Sequence, residues 1–219
     1  MSLSFLQNLA DLPQPIPGLP EGVRYYPSLL GRRRQEALRG AVEAALKEAP
    51  FYEPRLPRSG KPMSVRMSNM GPLGWLTDKE KGYRYEPRHP VTGAPWPPIP
   101  ELLLELWARL TAYPGPPEAC LINYYGPGSK MGAHQDRDEA ALDAPVLSVS
   151  LGDSARFRLG GLKRSDPSRQ LLLHSGDVLI LEGPSRLRFH GIDRILGGSS
   201  GLLPGGGRLN LTLRRVTAP

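Results

Sequence analysis

Leu121-Ile-Asn-Tyr-Tyr-Gly-Pro-Gly-Ser-Lys-Met-Gly-Ala-His-Gln-Asp-Arg-Asp138 holds His134 and Asp136 two residues apart. In an extended chain, side chains two apart leave the same face. The pair therefore reads as an imidazole and a carboxylate presented together from a strand, two-thirds of a metal site. Outward from this stretch, residues 120–125, 146–151, 155–159, 170–173, 177–181, 187–190 and 208–214 all have strand character, with Gly, Pro, Ser or Asp between most of them. Residues 160–168, Gly-Gly-Leu-Lys-Arg-Ser-Asp-Pro-Ser, read as a hairpin connection. Many short strands after two helices predict an α+β, mainly β, protein built on an antiparallel sandwich or jelly roll.

The helices precede this region. Residues 33–49 place Leu38, Ala41, Val42, Ala45 and Leu46 on one stripe, and Pro50 ends the run. Residues 98–112 carry Leu102, Leu103, Leu106, Trp107 and Leu110 and stop at Tyr113-Pro-Gly-Pro-Pro117. Both are expected to lie on the sheet. Residues 1–27 are Pro-rich and irregular. Between the helices, residues 63–69 alternate as a strand does, and Trp75, Tyr83 and Tyr85 then stand among Lys79, Lys81, Arg84 and Arg88. Aromatic rings among cations suit base stacking and phosphate contact. The same pattern also describes a small hairpin with solvated charges.

With 219 residues and 39% hydrophobic content, the chain supports one well-cored domain. The excess of 28 Lys+Arg over 21 Asp+Glu, and a pI near 9.7, favour an anionic partner such as nucleic acid. A single cysteine, Cys120, excludes an intramolecular disulfide. No apolar run approaches the roughly 20 residues of a membrane span, and Asp11 and several prolines stand where a signal peptide needs its apolar core. These features predict a cytoplasmic protein with no membrane partner. The Gly-rich residues 196–207 lack a Gly-Lys-Ser/Thr ending and are not a phosphate-binding loop.

Of the four histidines, His89 precedes Pro90 in a polar stretch and reads as a loop residue, and His174 lies in a His-Ser-Gly-Asp turn. His134 and His190 remain, 56 residues apart (190 − 134), as expected for ligands on facing strands. His134, Asp136 and His190 form a two-histidine, one-carboxylate set, which suits Fe(II) with open positions and also suits catalytic zinc. Residues 208–214 put Leu209, Leu211 and Leu213 on one face and Arg208, Asn210, Thr212 and Arg214 on the other. Two arginines inside a barrel are costly unless they meet anions, and a dicarboxylate supplies two. Asn123 and Tyr125 share a face by the same spacing.

Asn123-X-Tyr125, His134-X-Asp136-X-Asp138, Ser148-Val-Ser-Leu-Gly152, Phe157, Gly176-Asp177, Ser185-Arg186, His190-Gly191 and Arg208-X-Asn210-X-Thr212-X-Arg214 together resemble the AlkB family of iron(II)- and 2-oxoglutarate-dependent nucleic-acid dealkylating dioxygenases. The resemblance is strong over 118–215 and weaker over 61–97. There Met63-Ser-Val, Leu73-Gly-Trp75, Gly82-Tyr83 and Pro95-Trp-Pro97 resemble the bacterial DNA-repair members. It implies a double-stranded β-helix core over 98–219 with flanking helices, a nucleotide-recognition lid over 61–97, and an arm with a supporting helix over 1–60.

It also implies that His134, Asp136 and His190 hold iron. Arg208, Asn123, Tyr125 and Asn210 would bind 2-oxoglutarate, Arg208 on the distal carboxylate, with Arg214 near the metal-proximal one. Trp75 and His134 would sandwich a flipped base, Tyr83 would contact its backbone, Asp138 would face its exocyclic nitrogen, and Arg164 would guard the pocket. The implied reaction demethylates 1-methyladenine- or 3-methylcytosine-type lesions in DNA, consuming 2-oxoglutarate and O2 and releasing formaldehyde, succinate and CO2. The implied enzyme is a monomer preferring single-stranded DNA. An RNA or tRNA modifier of the same family, and a zinc-containing nucleic-acid-binding protein, are the competing readings.

Overall fold

The alternating and helical stretches of the chain sort into twelve strands and two α-helices among the described residues, 14–218 of a computed structural model. The order is β1 (Val23–Tyr26), α1 (Arg32–Glu48), β2 (Val65–Met70), β3 (Gly74–Asp78), β4 (Gly82–Glu86), α2 (Glu101–Thr111), β5 (Ala119–Tyr125) and β6 (Met131–His134). It continues with β7 (Val146–Gly152), β8 (Ser154–Leu159), β9 (Arg169–Leu173), β10 (Val178–Leu181), β11 (His190–Leu196) and β12 (Arg208–Arg214). Residues 1–13 of the Pro-rich arm lie outside the described residues.

Two antiparallel sheets face each other. One has the order β1-β10-β7-β12-β5-β2 and the other β6-β11-β8-β9, while β3 and β4 form a separate hairpin. This is the jelly-roll sandwich expected from the strand pattern. β12 is central, paired along its whole length with β5 on one side and β7 on the other. Its leucines point outward to the helices. Leu209, Leu211 and Leu213 pack with Leu38 and Val42 of α1 and with Leu103, Leu106 and Trp107 of α2. Each such burial contributes ~1.5–3 kcal/mol. A second cluster, including Leu121, Tyr125, Phe157, Leu173 and Leu179, fills part of the space between the sheets.

The helices fall within three residues of expectation. α1 opens on Gly31 and α2 on Pro100, neither with a side-chain cap. α2 stops where Ala112 adopts the left-handed region, φ 52.

Three differences stand out. The strand read over 187–190 is instead a turn following the 3₁₀ segment Gly183–Ser185, and β11 starts at His190, where that strand was expected to end. Register shifts against β6 and β8 between 190 and 194 break the period-two signal there. β6 ends at His134, so Asp136 lies just beyond the strand rather than on it. β1 falls in the stretch read as irregular; it is set by pairing with β10, not by its own sequence.

β2, within residues 61–97, belongs to the six-stranded sheet through β5. The β3–β4 hairpin is tied down at its open end through both strands. Tyr52 Oη donates to Trp75 O at 2.6 Å, and Trp96 Nε1 donates to Glu86 O at 2.9 Å. Gly74 is required for this contact, because a Cβ there would stand 2.4 Å from the Trp96 ring. His89 is on a loop but buried, with Nε2 2.8 Å from Pro50 O.

Candidate metal centre and cosubstrate pocket

Between the two sheets and the hairpin lies a cavity of about 740 Å³. His134 and His190 sit directly opposite each other in the β6–β11 register. The close approach of these strands needs Gly191, where a Cβ would meet Met131 O at 2.5 Å. Asp136 lies beside both rings. Its Oδ1 is 3.6 Å from His134 Nε2 and its Oδ2 is 3.6 Å from His190 Nε2. The three donor atoms lie within 4.8 Å of one another.

The other ring nitrogens are also assigned. His134 Nδ1 lies 3.0 Å from Gly132 O, and His190 Nδ1 lies 3.0 Å from Arg188 O. A carbonyl only accepts, so each Nδ1 carries a proton and each Nε2 is the nitrogen turned toward the carboxylate. Burial pushes the His190 imidazole down to about 4, despite the upward pull of Asp136, so it is a neutral ligand at pH 7. Burial works to raise the Asp136 carboxyl, but Arg214, the two histidines and Arg186 hold it well below the usual range. Two imidazoles and one carboxylate fit a divalent iron.

The polar face of β12 lines the same cavity. Arg208 is 1% exposed and sits opposite Tyr125 of β5 and Gly152 of β7. Its Nη2 donates to Ser150 Oγ at 2.8 Å, while its buried Nε and Nη1 have no partner among the described residues. Burial lowers its pKa to about 10, leaving it charged at neutral pH. A buried cation with two idle donors fits a carboxylate ligand. Asn123 Oδ1 is likewise buried without a partner. Asn210 is already engaged by Ser148 Oγ at 2.6 Å and by Thr212 Oγ1 at 2.8 Å. Tyr125 Oη lies 3.7 Å from Met131 Sδ.

Arg214 is not a free anion receptor. Nη2 lies 2.8 Å from Asp136 Oδ1, and Nη1 donates to Glu139 Oε1 at 2.9 Å and to Tyr85 Oη at 3.0 Å; Nε is buried without a partner. Glu139, with no side-chain exposure, also receives Arg186 Nη2 at 3.1 Å, and Arg186 Nη1 donates to Asp136 O at 2.6 Å. Neither Glu139 nor Tyr85 was expected in the site. Their partners lie 47 to 129 residues away in sequence, so no local pattern marks them. Arg186 carried a signal only as part of Ser185-Arg186.

At the cavity mouth, Trp75 Nε1 donates to Asp138 Oδ2 at 2.9 Å, and Trp75 stacks on Tyr83 with centroids 5.6 Å apart. Tyr83 is 51% exposed. Arg164 Nη1 donates to Ala133 O at 3.0 Å and its guanidinium lies over Phe189. All the expected site residues thus gather around one cavity.

A jelly roll that encloses a two-histidine, one-carboxylate set beside a buried, unsatisfied arginine is the architecture of an iron- and 2-oxoglutarate-dependent oxygenase. The model of the 2OG-Fe(II) oxygenase superfamily matches residues 22–214, and the chain belongs to that superfamily. Within it the chain is an AlkB-family dioxygenase. It is 54% identical over 210 residues to the alpha-ketoglutarate-dependent dioxygenase AlkB homolog of Caulobacter vibrioides, covering 96% of this chain and 94% of the relative. Against Escherichia coli AlkB the identity is 44% over 179 residues, 80% and 82% of the two chains. The solved structure of OsALKBH1 superposes with a TM-score of 0.78 at 31% identity, over 90% of this chain and 98% of that one. Fe(II), 2-oxoglutarate and O2 are the family's cofactor and cosubstrates, and the His134–Asp136–His190 set fits the iron.

Proposed function

We propose that this protein removes alkyl groups from the base nitrogens of damaged DNA, with lesions of the 1-methyladenine and 3-methylcytosine type as substrates. The observation that carries this reading is one cavity lined both by the metal set and by Trp75, Tyr83 and Asp138. When bound, iron, 2-oxoglutarate and O2 supply an oxidation of the alkyl carbon, which leaves as an aldehyde (formaldehyde from methyl) while 2-oxoglutarate becomes succinate and CO2. His134, Asp136 and His190 hold the metal. Arg208 grips the distal carboxylate of the cosubstrate with its two idle donors, beside Asn123, Tyr125 and Asn210. Arg214 orients Asp136 near the metal-proximal carboxylate.

Residues 61–97 act as a nucleotide-recognition lid on the 98–219 core, with 1–60 as arm and supporting helix. A flipped base stacks on Trp75 and faces His134. Such a lesion carries positive charge and has lost Watson–Crick pairing, so it costs less to extrude. Asp138 meets that charge by exchanging its Trp75 partner for the base. Tyr83 and Arg164 contact the strand around the pocket. Extrusion is cheapest from a single strand, which makes single-stranded DNA the preferred form. We assign a cytoplasmic monomer; no helix among the described residues is long and apolar enough to cross a membrane.

The test is a reaction containing Fe(II), 2-oxoglutarate, ascorbate and a single-stranded DNA oligonucleotide bearing 3-methylcytosine, with succinate and oligonucleotide mass followed together. Succinate with loss of a methyl mass is the expected result. Succinate without that loss would remove the substrate assignment. A faster rate on the matched RNA would move the preference to RNA.

A further inference from the structure

We propose that Tyr85 is a positioning residue through which the β3–β4 hairpin sets the orientation of the metal-binding carboxylate of Asp136. The inference rests on the assignment of His134, Asp136 and His190 to the metal, and it concerns a residue outside that set.

The contacts form an unbroken line. The Tyr85 hydroxyl donates to Glu139 Oε1 and accepts from Arg214 Nη1 at 3.0 Å. Arg214 Nη1 also donates to the same Glu139 oxygen at 2.9 Å, and Nη2 of the same guanidinium lies 2.8 Å from Asp136 Oδ1. One hydroxyl therefore spends its only proton on the carboxylate that anchors Arg214 and offers its lone pair to Arg214 itself. The guanidinium fork is planar and rigid, so fixing Nη1 also fixes Nη2, and with it the Asp136 oxygen. Glu139 has no side-chain exposure and Arg214 only 7%, so solvent offers no substitute partner.

The hairpin geometry gives this line a moving end. Trp75 and Tyr85 are directly opposite in the β3–β4 register, which puts both side chains on one face of the hairpin. Trp75 reaches exposed Asp138, and Tyr85 reaches buried Glu139 and Arg214. A hairpin displaced at Trp75 pulls on Tyr85. Order in the hairpin and affinity for the metal are then linked, and linkage acts in both directions.

The experiment is a calorimetric titration with Mn(II) in the presence of 2-oxoglutarate and the absence of nucleic acid, on wild type, Tyr85→Phe and Tyr52→Phe. Removing a group that orients a metal ligand characteristically weakens metal binding by ~10-fold or more, so Tyr85→Phe is expected to raise the Mn(II) dissociation constant by about that factor. Tyr52→Phe loosens the hairpin at Trp75 O but leaves the Tyr85 hydroxyl on Arg214 and Glu139, and is expected to weaken Mn(II) binding far less than Tyr85→Phe does. Hydrogen exchange supplies the reciprocal readout. Mn(II) is expected to slow exchange over residues 82–86 in wild type and Tyr52→Phe, and not in Tyr85→Phe. Equal Mn(II) affinity in wild type and Tyr85→Phe overturns the proposal, as does equal weakening by Tyr52→Phe, which would make hairpin anchoring the cause. Should Tyr85→Phe fail to fold, exchange over 82–86 that ignores Mn(II) in wild type overturns it alone. A wild type that binds no Mn(II) removes the metal assignment and the proposal with it.

Discussion

Replacing Arg208 by methionine is expected to strengthen the fold and abolish cosubstrate recognition together. The side chain is 1% exposed and holds two buried donors without partners, so the free protein keeps a charge in a poor environment. Burial lowers its pKa from the ordinary arginine range to about 10. At ~1.4 kcal/mol per pKa unit this is a cost of roughly 3 kcal/mol. The sign follows from linkage. Between about 10 and the ordinary arginine value the unfolded chain holds the proton and the folded one does not, so the cost applies in full below about pH 10. Methionine is unbranched, uncharged and fills much of the same space. Ser150 Oγ loses its 2.8 Å partner, which offsets ~1 kcal/mol.

The net gain of ~2 kcal/mol corresponds to a Tm rise of ~4–8 °C for a chain of this size. Two charge-assisted hydrogen bonds to the distal carboxylate disappear, at roughly 1.5–3 kcal/mol each. The KM for 2-oxoglutarate should then increase by at least ~100-fold. Calorimetric melting of metal-free protein, with and without 2-oxoglutarate, measures both effects. A variant that melts below wild type without ligand, or that 2-oxoglutarate stabilises as well as wild type, would refute the argument that Arg208 is held unsatisfied for an anion.

Trp75→Ala removes a stacking surface worth ~1–3 kcal/mol per base. It should raise the KM for a 3-methylcytosine oligonucleotide roughly 5- to 150-fold while the KM for 2-oxoglutarate stays constant. Glu118 accepts from the Val216 and Thr217 amides at 2.9 and 2.7 Å and from Thr217 Oγ1 at 2.7 Å. Burial works to raise this carboxyl, but the Thr217 and Val216 donors and Arg215 carry it below its usual 4.5, so its stabilisation is complete above pH 4.5 and fades as pH falls through the depressed value. Melting curves of Glu118→Gln should lie below wild type at pH 7 by ~1–2 kcal/mol and converge with it in strong acid. Leu211→Ala opens a cavity at a fully buried position and should cost ~2–5 kcal/mol in urea unfolding without altering either KM of the folded enzyme. DNA affinity should fall steeply with added salt, because arginines around the cavity such as Arg137 and Arg164 displace counterions; binding that ignores salt would contradict the strand-contact role of Arg164.

Where the chain repeats a simple period and both faces have definite surroundings, its fold was legible. Residues 208–214 are the best case, since an apolar helix layer and a polar cavity demand opposite side chains at every step. The two helices were found from their leucines for the same reason. β11 was misplaced because Leu187-Arg-Phe-His alternates by accident, while the true strand carries Gly191, Asp193 and a register shift that disturb alternation. β1 has four residues and exists by pairing with β10, a long-range term no window contains. The metal set was legible because its ligands are chemically rare and two are adjacent, even though Asp136 lies past the strand end. The Tyr85–Glu139–Arg186 network was not, because charged and aromatic residues beside other charges look the same in sequence whether solvated or buried.

The alternation of β12 has a consequence for the genetics of this enzyme. Seven consecutive codons encode two interleaved and separable phenotypes. Damage at 209, 211 or 213 should lower the amount of protein in the cell, damage at 208 or 210 should leave abundant protein that does not work, and damage at 214 should do both, because it strands the buried Glu139. A deep mutational scan scored for both abundance and alkylation resistance would show this as a comb, with teeth offset by one between the two maps. A one-residue slip of β12 against β5 and β7 would slide one comb onto the other, placing arginines against the helices and leucines in the cavity.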